Sequence, residues 1–397
     1  MKVKFISLLI LIFIVQMHKV FNNNIGSPYD LNYPNLTVAQ EQEILAGLFE
    51  QLLIFDRITI ITGRLNFPLF FLIKHLGINK VEEMIERNAI EFLLWSPMIF
   101  TGRGRRREDG STDESVIYGQ PPIVGGSLGG QDLDPEHNID NALNLFHLHR
   151  ERKRIFKRIA EKKYTVAEGL QNSSSSVKMV MDAYLNNDLA PLGLAFEKDP
   201  EQLSLQERDL MLDVGSKLLE TTLLSRYNLK SYENYAHYQI CEQNLANIGN
   251  ALKVSENTSQ ILQIENIPDL KSLYKETRMN FDDVLTLRYK ANAKYYRKWI
   301  NEVSDFGNAQ EITKEYLNEL KDSTNFFNTN PGKFVRNIGV WGVSTYLGNL
   351  VAGDAGVLTG VALGLADTFW LESIIKGKNP SMFIQDIERT LGKTNQQ

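Results

Sequence analysis

A glycine-rich apolar run near the C-terminal end, GVLTGVALGLADTFW, constrains the fold more than any other feature of the sequence. Gly356, Gly360 and Gly364 recur every four residues, so they would line one stripe of a helix. Each glycine costs a helix about 1 kcal/mol relative to alanine, and close approach of a second backbone along the stripe can offset that cost. The pattern therefore predicts a helical hairpin over residues 334–376, with close helix packing at the three glycines.

The lengths of the two arms favour a hairpin that packs within the protein over one that inserts into lipid. The first arm has 17 consecutive uncharged residues (337–353), and the second has 12 (355–366). A membrane-spanning helix requires about 20 apolar residues. A charge such as that of Asp367 would cost roughly 2.5–3.5 kcal/mol at the centre of a bilayer. We expect the hairpin to fold back against the protein, and membrane insertion is the alternative.

The N-terminal segment, residues 1–17, is also apolar. Lys2 and Lys4 precede the apolar run Phe5–Val15, which has the layout of a secretory signal but lacks a small-residue cleavage site. Three interpretations remain: an uncleaved signal, a short membrane anchor, or a translation start near Met17. The protein is expected to be cytoplasmic in the third case and membrane-associated if residues 1–16 are present.

Composition and patterning predict a mainly α fold. The chain has 397 residues, of which 43% are hydrophobic and 23% charged, so it can bury a large core. We expect a small α+β module (18–101), a linker rich in glycine, proline and charge (102–137) and a helical body (138–328). The glycine-rich hairpin and a C-terminal amphipathic helix complete the chain (329–397). Two capping boxes, Thr37 with Gln40 and Ser204 with Glu207, mark helix starts.

Several elements within these segments are predicted from local patterns. Residues 57–62 and 89–100 are predicted strands, and residues 67–77 are a predicted short helix. Longer helices are predicted over residues 139–164 and over roughly residues 231–253.

A strongly basic helix is predicted over residues 149–163. It carries eight lysines and arginines but only two glutamates, in a chain whose net charge is −5. We expect a solvated face that pairs with acidic residues elsewhere. The alternative is a surface for the phosphates of nucleic acid or lipid, to which the linker would add four arginines. The candidate contacts are Arg103, Arg105, Arg106, Arg107, Arg150, Arg152, Lys153, Arg154, Lys157 and Arg158.

No catalytic or metal-binding pattern meets its structural requirements. The Gly125–Gly129 stretch has the spacing of a nucleophile elbow but lacks a helix directly after it. His147 and His149 would project from different sides of a helix, which makes them poor joint metal ligands. Cys241 is the only cysteine, so no internal disulfide can form.

We therefore expect an interaction or regulatory protein that acts by binding, without chemistry, metal or cofactor. A protein partner or an anionic surface, nucleic acid or lipid, would meet the basic helix. The alternative functions are membrane association through the N-terminal segment or the hairpin, and non-specific nucleic-acid binding through residues 149–163.

Overall fold

The computed structural model describes residues 19–25, 36–95, 98–101, 120–126, 129–167, 173–234, 259–277, 280–297 and 335–343, with Phe383, Asp386, Ile387 and Arg389. Helical residues outnumber strand residues in these ranges, which confirms the expectation of a mainly helical protein. The linker arginines 103 and 105–107 and the glycines 356, 360 and 364 lie outside the described residues.

Nine strands and nine α-helices are described, besides a helical stretch over 291–297 and three short 3₁₀ turns. The strands are β1 (Lys19–Asn22), β2 (Arg57–Thr62), β3 (Ile90–Leu94), β4 (Met98–Thr101), β5 (Ile123–Gly126), β6 (Tyr164–Val166), β7 (Ser231–Asn234), β8 (Ser259–Pro268) and β9 (Val335–Val343). The helices are α1 (Val38–Ile54), α2 (Phe67–Leu76), α3 (Ile78–Glu86), α4 (Pro135–Leu143), α5 (Arg150–Glu161), α6 (Ser174–Leu185), α7 (Leu205–Tyr227), α8 (Leu270–Thr277) and α9 (Phe281–Tyr289).

A parallel sheet with the order β1-β2-β3-β6 lies at the centre of the fold. Helices connect its successive strands: α1 after β1, α2 and α3 after β2, and α4 and α5 before β6. After β6 the chain forms α6 and α7 and returns to β1, where Lys230 forms a parallel bridge with Val20. Because Val20 also pairs with Ile58 of β2, Lys230 lies on the opposite side of β1.

Each face of this sheet is covered by its own hydrophobic cluster. The first core holds apolar residues of α1–α5, α8 and α9, and the second holds those of β4, β5, α6 and α7. Alternation along β3 divides its side chains accordingly, with Ile90 and Phe92 in the first core and Leu93 in the second. A parallel sheet that is buried on both faces in this way is typical of α/β proteins.

The C-terminal part of the described chain packs into the first core. Phe383 and Ile387 are fully buried there, and the Phe383 ring stacks on Tyr296 at 4.5 Å.

Buried Arg288 of α9 donates to the carbonyl oxygens of Leu52, Phe55 and Asp56. These carbonyls lie at the C-terminal end of α1, where a cation also interacts favourably with the helix dipole.

Several helix predictions are wrong at the level of local structure. Residues 335–343, in the first arm of the predicted hairpin, form β9, which pairs with β7 and β8 in an antiparallel sheet. Two glycines within this stretch, VRNIGVWGV, disfavour a helix, and its β-branched residues favour a strand. Residues 231–234 form β7 instead of starting a helix, and the predicted linker contains β5.

Candidate functional site

The basic helix α5 is set by a polar cap at its start and an apolar side facing the sheet. His149 is its N-cap, and the imidazole Nδ1 accepts a hydrogen bond from the Glu151 backbone N–H at 3.4 Å. Phe156 and Ala160, four residues apart, are both fully buried in the first core. One continuous helix was expected through this region, but residues 144–149 are not helical and separate α4 from α5. The basic helix therefore spans residues 150–161.

Three cations on the inner side of α5 bond to polar groups of neighbouring helices. Arg152 bonds to the carboxylate of Glu82 and to Asn79, both on α3. Lys153 donates to the side-chain oxygen of Asn144 at 3.2 Å. These three contacts tie α5 to its neighbours and use cations that the sequence analysis counted as candidate ligand contacts.

Lys157 makes the corresponding contacts on the α4 side. Its Nζ lies 2.7 Å from a carboxylate oxygen of Glu136 and 3.0 Å from one of Asp140. The hydrogen bond to Glu136 is the main cause that raises the pKa of Lys157, and the Asp140 carboxylate adds to it, while burial acts in the opposite direction. Arg152 and Lys157 pair with acidic residues, as the interpretation favoured from the sequence expects, whereas the partner of Lys153 is a neutral amide.

The opposite side of α5 presents a row of cations to solvent. Arg150, Arg154 and Arg158 follow one another at four-residue intervals, and Lys162 continues the interval just beyond the helix. All four are exposed. A rise of 1.5 Å per residue separates successive members by about 6 Å along the axis. We call these four residues the outer row.

Part of the positive charge of the outer row is uncompensated. Arg154 pairs with Glu151 at 2.9 Å, and Glu161 lies on the same side of the helix. Arg150, Arg158 and Lys162 have no ion-pair partner within the described ranges. Four cations therefore face two carboxylates, and a net positive charge remains on the solvent side of α5.

Carboxylates border the outer row on both sides. Glu82 and the exposed Glu86 lie one turn apart on α3. Glu136, whose side chain is 61% exposed, and Asp140 lie one turn apart on α4. We call these four residues the acidic borders. The row is therefore a ridge of positive charge one helix wide.

An amide cluster that the sequence analysis missed places α4 against the loop after β2. Asn138, fully buried, donates to the Gly63 carbonyl at 2.7 Å, and its own carbonyl accepts from Asn66 at 3.1 Å. Asn66 also donates to the Tyr164 hydroxyl at 2.8 Å, and it adopts a left-handed conformation with φ 45°. Asn tolerates this conformation better than most residues. The cluster fixes α4, and with it one acidic border.

The Gly125–Gly129 stretch serves packing in its described part. Gly125 and Gly126 belong to β5, and a Cβ added at Gly125 would lie 2.7 Å from the Ser174 backbone nitrogen. Ser173 accepts from the Gly126 N–H at 2.9 Å and donates to the Gly126 carbonyl at 3.0 Å. Ser127, the residue at the nucleophile position, lies outside the described residues. The required glycine thus allows the β5 backbone to contact the start of α6.

A cleft of about 370 Å³ between α3 and α9 is lined by charges that nearly cancel. Lys80 pairs with Asp282 and Glu83, and Arg87 pairs with Glu83 at 3.3 Å. The Arg87 guanidinium also lies 4.4 Å from the centre of the Tyr289 ring. The third cation of the lining, Lys290, pairs with Asp386 at 3.4 Å, so each cation of the cleft has a carboxylate partner, in contrast to the outer row.

Two further kinds of site, a metal centre and a membrane-spanning helix, are considered for the described residues alone. Among them there is no cluster of three or more His, Cys, Asp or Glu side chains suited to a metal ion. No helix that the structure describes combines the length and the apolar character needed to span a bilayer.

Comparison with models of known families, with curated proteins and with solved structures finds no match to the chain.

Proposed function

We propose that the protein acts by binding nucleic acid without sequence specificity, through the phosphate contacts of the outer row of α5. The observation that carries the proposal is the separation of cations on this helix. The inner cations bond to the protein itself, whereas Arg150, Arg158 and Lys162 face solvent without an ion-pair partner among the described residues. Such cations release counterions when they neutralise phosphates, which supplies affinity that does not depend on sequence.

Two properties of the row favour a nucleic-acid ligand. Three of its four members are arginines, whose planar guanidinium groups bind phosphate oxygens in a bidentate manner. The inner bonds of Arg152 and Lys157 hold the helix in place, so the row is organised before a ligand arrives.

A lipid surface fits the same row less well. The apolar side of α5, at Phe156 and Ala160, is buried in the first core and is not free to enter a bilayer. A planar anionic surface would also bring lipid headgroups over the acidic borders. Membrane association through the N-terminal segment or residues 334–376 remains a separate hypothesis, because those segments lie outside the described residues except for β9.

The test compares the protein with an Arg150→Gln/Arg158→Gln variant. Binding of fluorescent oligonucleotides is measured by anisotropy over a salt series from about 50 mM to about 200 mM. We expect the variant to bind more weakly and its slope of log affinity against log salt to flatten by about 1.5, since two phosphate contacts are lost.

The matched control removes two exposed cations from other surfaces, Lys178→Gln/Lys294→Gln, and should leave the slope unchanged. Vesicles containing anionic phosphatidylserine are titrated in parallel. If the two double variants bind oligonucleotides with the same affinity and salt slope, the proposal is wrong. Row-dependent binding to vesicles but not to oligonucleotides would also contradict it.

A further inference from the structure

We infer that the outer row accepts one phosphate chain at a time, so that single-stranded nucleic acid binds more tightly than duplex of the same length. This inference rests on the proposed function and concerns the same site. The observation behind this inference is the position of the acidic borders, which lie beside the row on α3 and α4.

The distance between the row and its borders follows from how the helices pack. Arg152 of α5 contacts Glu82 of α3, and Lys157 contacts Glu136 and Asp140 of α4, so both neighbouring helices pack directly against α5. Packed helices lie about 8–10 Å apart. The border carboxylates are therefore about one helix width from the row on either side.

A duplex differs from a single strand in having a second phosphate backbone. When one strand of B-form DNA lies along the row, its second backbone runs across a groove about 6 Å or about 12 Å wide. Those widths are comparable with the distance from the row to α3 and α4. The second backbone would therefore lie over border carboxylates, where phosphate is repelled. A single strand has no second backbone and meets only the cations.

The four border carboxylates differ in how much of their negative charge is neutralised. Glu82 is neutralised by Arg152, and Asp140 shares Lys157 with Glu136. Glu86 is exposed and has no ion-pair partner within the described ranges, and the Glu136 side chain is 61% exposed. Glu86 and Glu136 are thus the border residues that a second phosphate chain would meet most directly.

The chemistry recognised is that of the backbone. In the part of the chain that the structure describes, the row itself contains no aromatic side chain on which a base could stack. Contacts are therefore to phosphate oxygens, which carry no sequence information. Inorganic polyphosphate, a single phosphate chain without bases, should compete for the same surface.

The test uses the full chain and two probes, a 20-nucleotide single strand and the duplex of equal length, at about 50 mM salt. We expect the single strand to bind about tenfold more tightly, and polyphosphate to displace it. A Glu86→Gln/Glu136→Gln variant should gain about fivefold in duplex affinity and less than about twofold in single-strand affinity. As a matched control, Glu197→Gln/Glu201→Gln removes two exposed carboxylates elsewhere and should alter neither affinity. Circular dichroism is recorded for each variant to check that it is folded.

The outcomes separate the two claims. Duplex affinity equal to or above that of the single strand, with both lost in Arg150→Gln/Arg158→Gln, overturns this inference and leaves the proposed function standing. The same holds if Glu86→Gln/Glu136→Gln strengthens both probes equally. If neither probe depends on Arg150 and Arg158, the proposed function fails, and the inference fails with it.

Discussion

The two faces of the parallel sheet differ at the amino ends of the strands. On the first-core face Ile58 and Ile90 are fully buried among apolar side chains. On the opposite face the same level holds the carboxylate of Glu91, which pairs with Lys19 at 3.0 Å and with Arg57 at 2.7 Å. Thr59 donates a hydrogen bond to the same carboxylate at 2.7 Å.

The difference follows from what covers each face. Seven helices, α1 to α5 with α8 and α9, cover the first-core face. The other face is covered by the β4–β5 hairpin, α6 and α7, and the Glu91 side chain remains 18% exposed there. A partly exposed end of a sheet can hold ionised groups, because water and mutual pairing offset the cost of desolvation. A fully covered level favours apolar residues, because a polar or charged group there must be hydrogen-bonded or paired within the protein.

The largest effects should come from adjacent residues of β3 that point to opposite cores. Phe92→Ala should reduce the free energy of unfolding by about 3–5 kcal/mol, and Leu93→Ala by about 2–5 kcal/mol, because each leaves a cavity among buried side chains. Urea unfolding followed by fluorescence measures both. Val38→Ala, at a side chain 74% exposed, serves as the control and should change stability by less than about 0.5 kcal/mol. A cost below that of the control for either core residue would show that its face of the sheet is not a core.

Intermediate effects should come from the side chains that fasten one loop on each face. Asn138→Ala removes the bond to the Gly63 carbonyl on the first-core face, and Ser173→Ala removes both bonds to Gly126 on the other. Each substitution should cost about 1–3 kcal/mol, since half-buried backbone groups lose hydrogen bonds from a buried side chain. Asn141→Ala provides the comparison, because half-buried Asn141 makes a solvent-exposed hydrogen bond to the Arg64 carbonyl, in the same loop as Gly63. A cost for Asn138→Ala no larger than that for Asn141→Ala would contradict the buried role of Asn138.

The smallest effect, and the one most specific to the charged face, concerns pH. Burial alone would raise the pKa of Glu91, but the hydrogen bond from Thr59, the charge of Lys19 and the hydrogen bond from Arg57 together outweigh burial and lower the pKa below 4.5. A lowered pKa in the folded state means that Glu91 contributes stability above about pH 4.5, which is lost as pH falls through the folded-state pKa.

Glu91→Gln should therefore cost about 1–2 kcal/mol at pH 7 and less at pH 3.5. Chemical unfolding of wild type and variant at the two pH values measures the difference. Glu86→Gln, at an exposed carboxylate without an ion-pair partner in the described residues, is the control. An unchanged pH profile in Glu91→Gln would place the acid-sensitive stability elsewhere.

Local signals in the sequence predicted the parts of the fold that depend on neighbouring residues. Both capping boxes are confirmed: Thr37 Oγ1 accepts from the Gln40 N–H at 3.3 Å, and Ser204 Oγ accepts from the Glu207 N–H at 3.4 Å. The strand over 57–62 is confirmed as β2, and the helix over 67–77 is confirmed as α2, which ends at Leu76. Apolar periodicity and capping are properties of a few adjacent residues, so they can be identified in the sequence alone.

Pairing between distant segments could not be predicted in the same way. The expected strand over 89–100 is divided between β3 and β4, which belong to different sheets. β9 pairs with β7 and β8, which lie far from it in the sequence, and strand propensity reflects the packing of such partners.

The candidate site shows the same limit of local reasoning. The four-residue spacing of the outer row is visible in the sequence, and extending it from Arg158 would have added Lys162 to the candidate residues. The inner partners could not be foreseen, since Glu82 and Glu136 reach α5 only through the packing of α3 and α4.

Phe383 and Ile387 are buried in the same core as residues as early as Val20, which has a consequence for how the protein is made. A ribosome releases the sheet strands long before it releases residues 383–387, so the first core stays incomplete while most of the polypeptide already lies outside the exit tunnel. Until Phe383 and Ile387 are released, apolar side chains of the first core lack these packing partners. Such transiently exposed apolar surface makes nascent chains prone to aggregation. Contacts so distant along the chain also slow folding, because their loop-closure entropy must be overcome first.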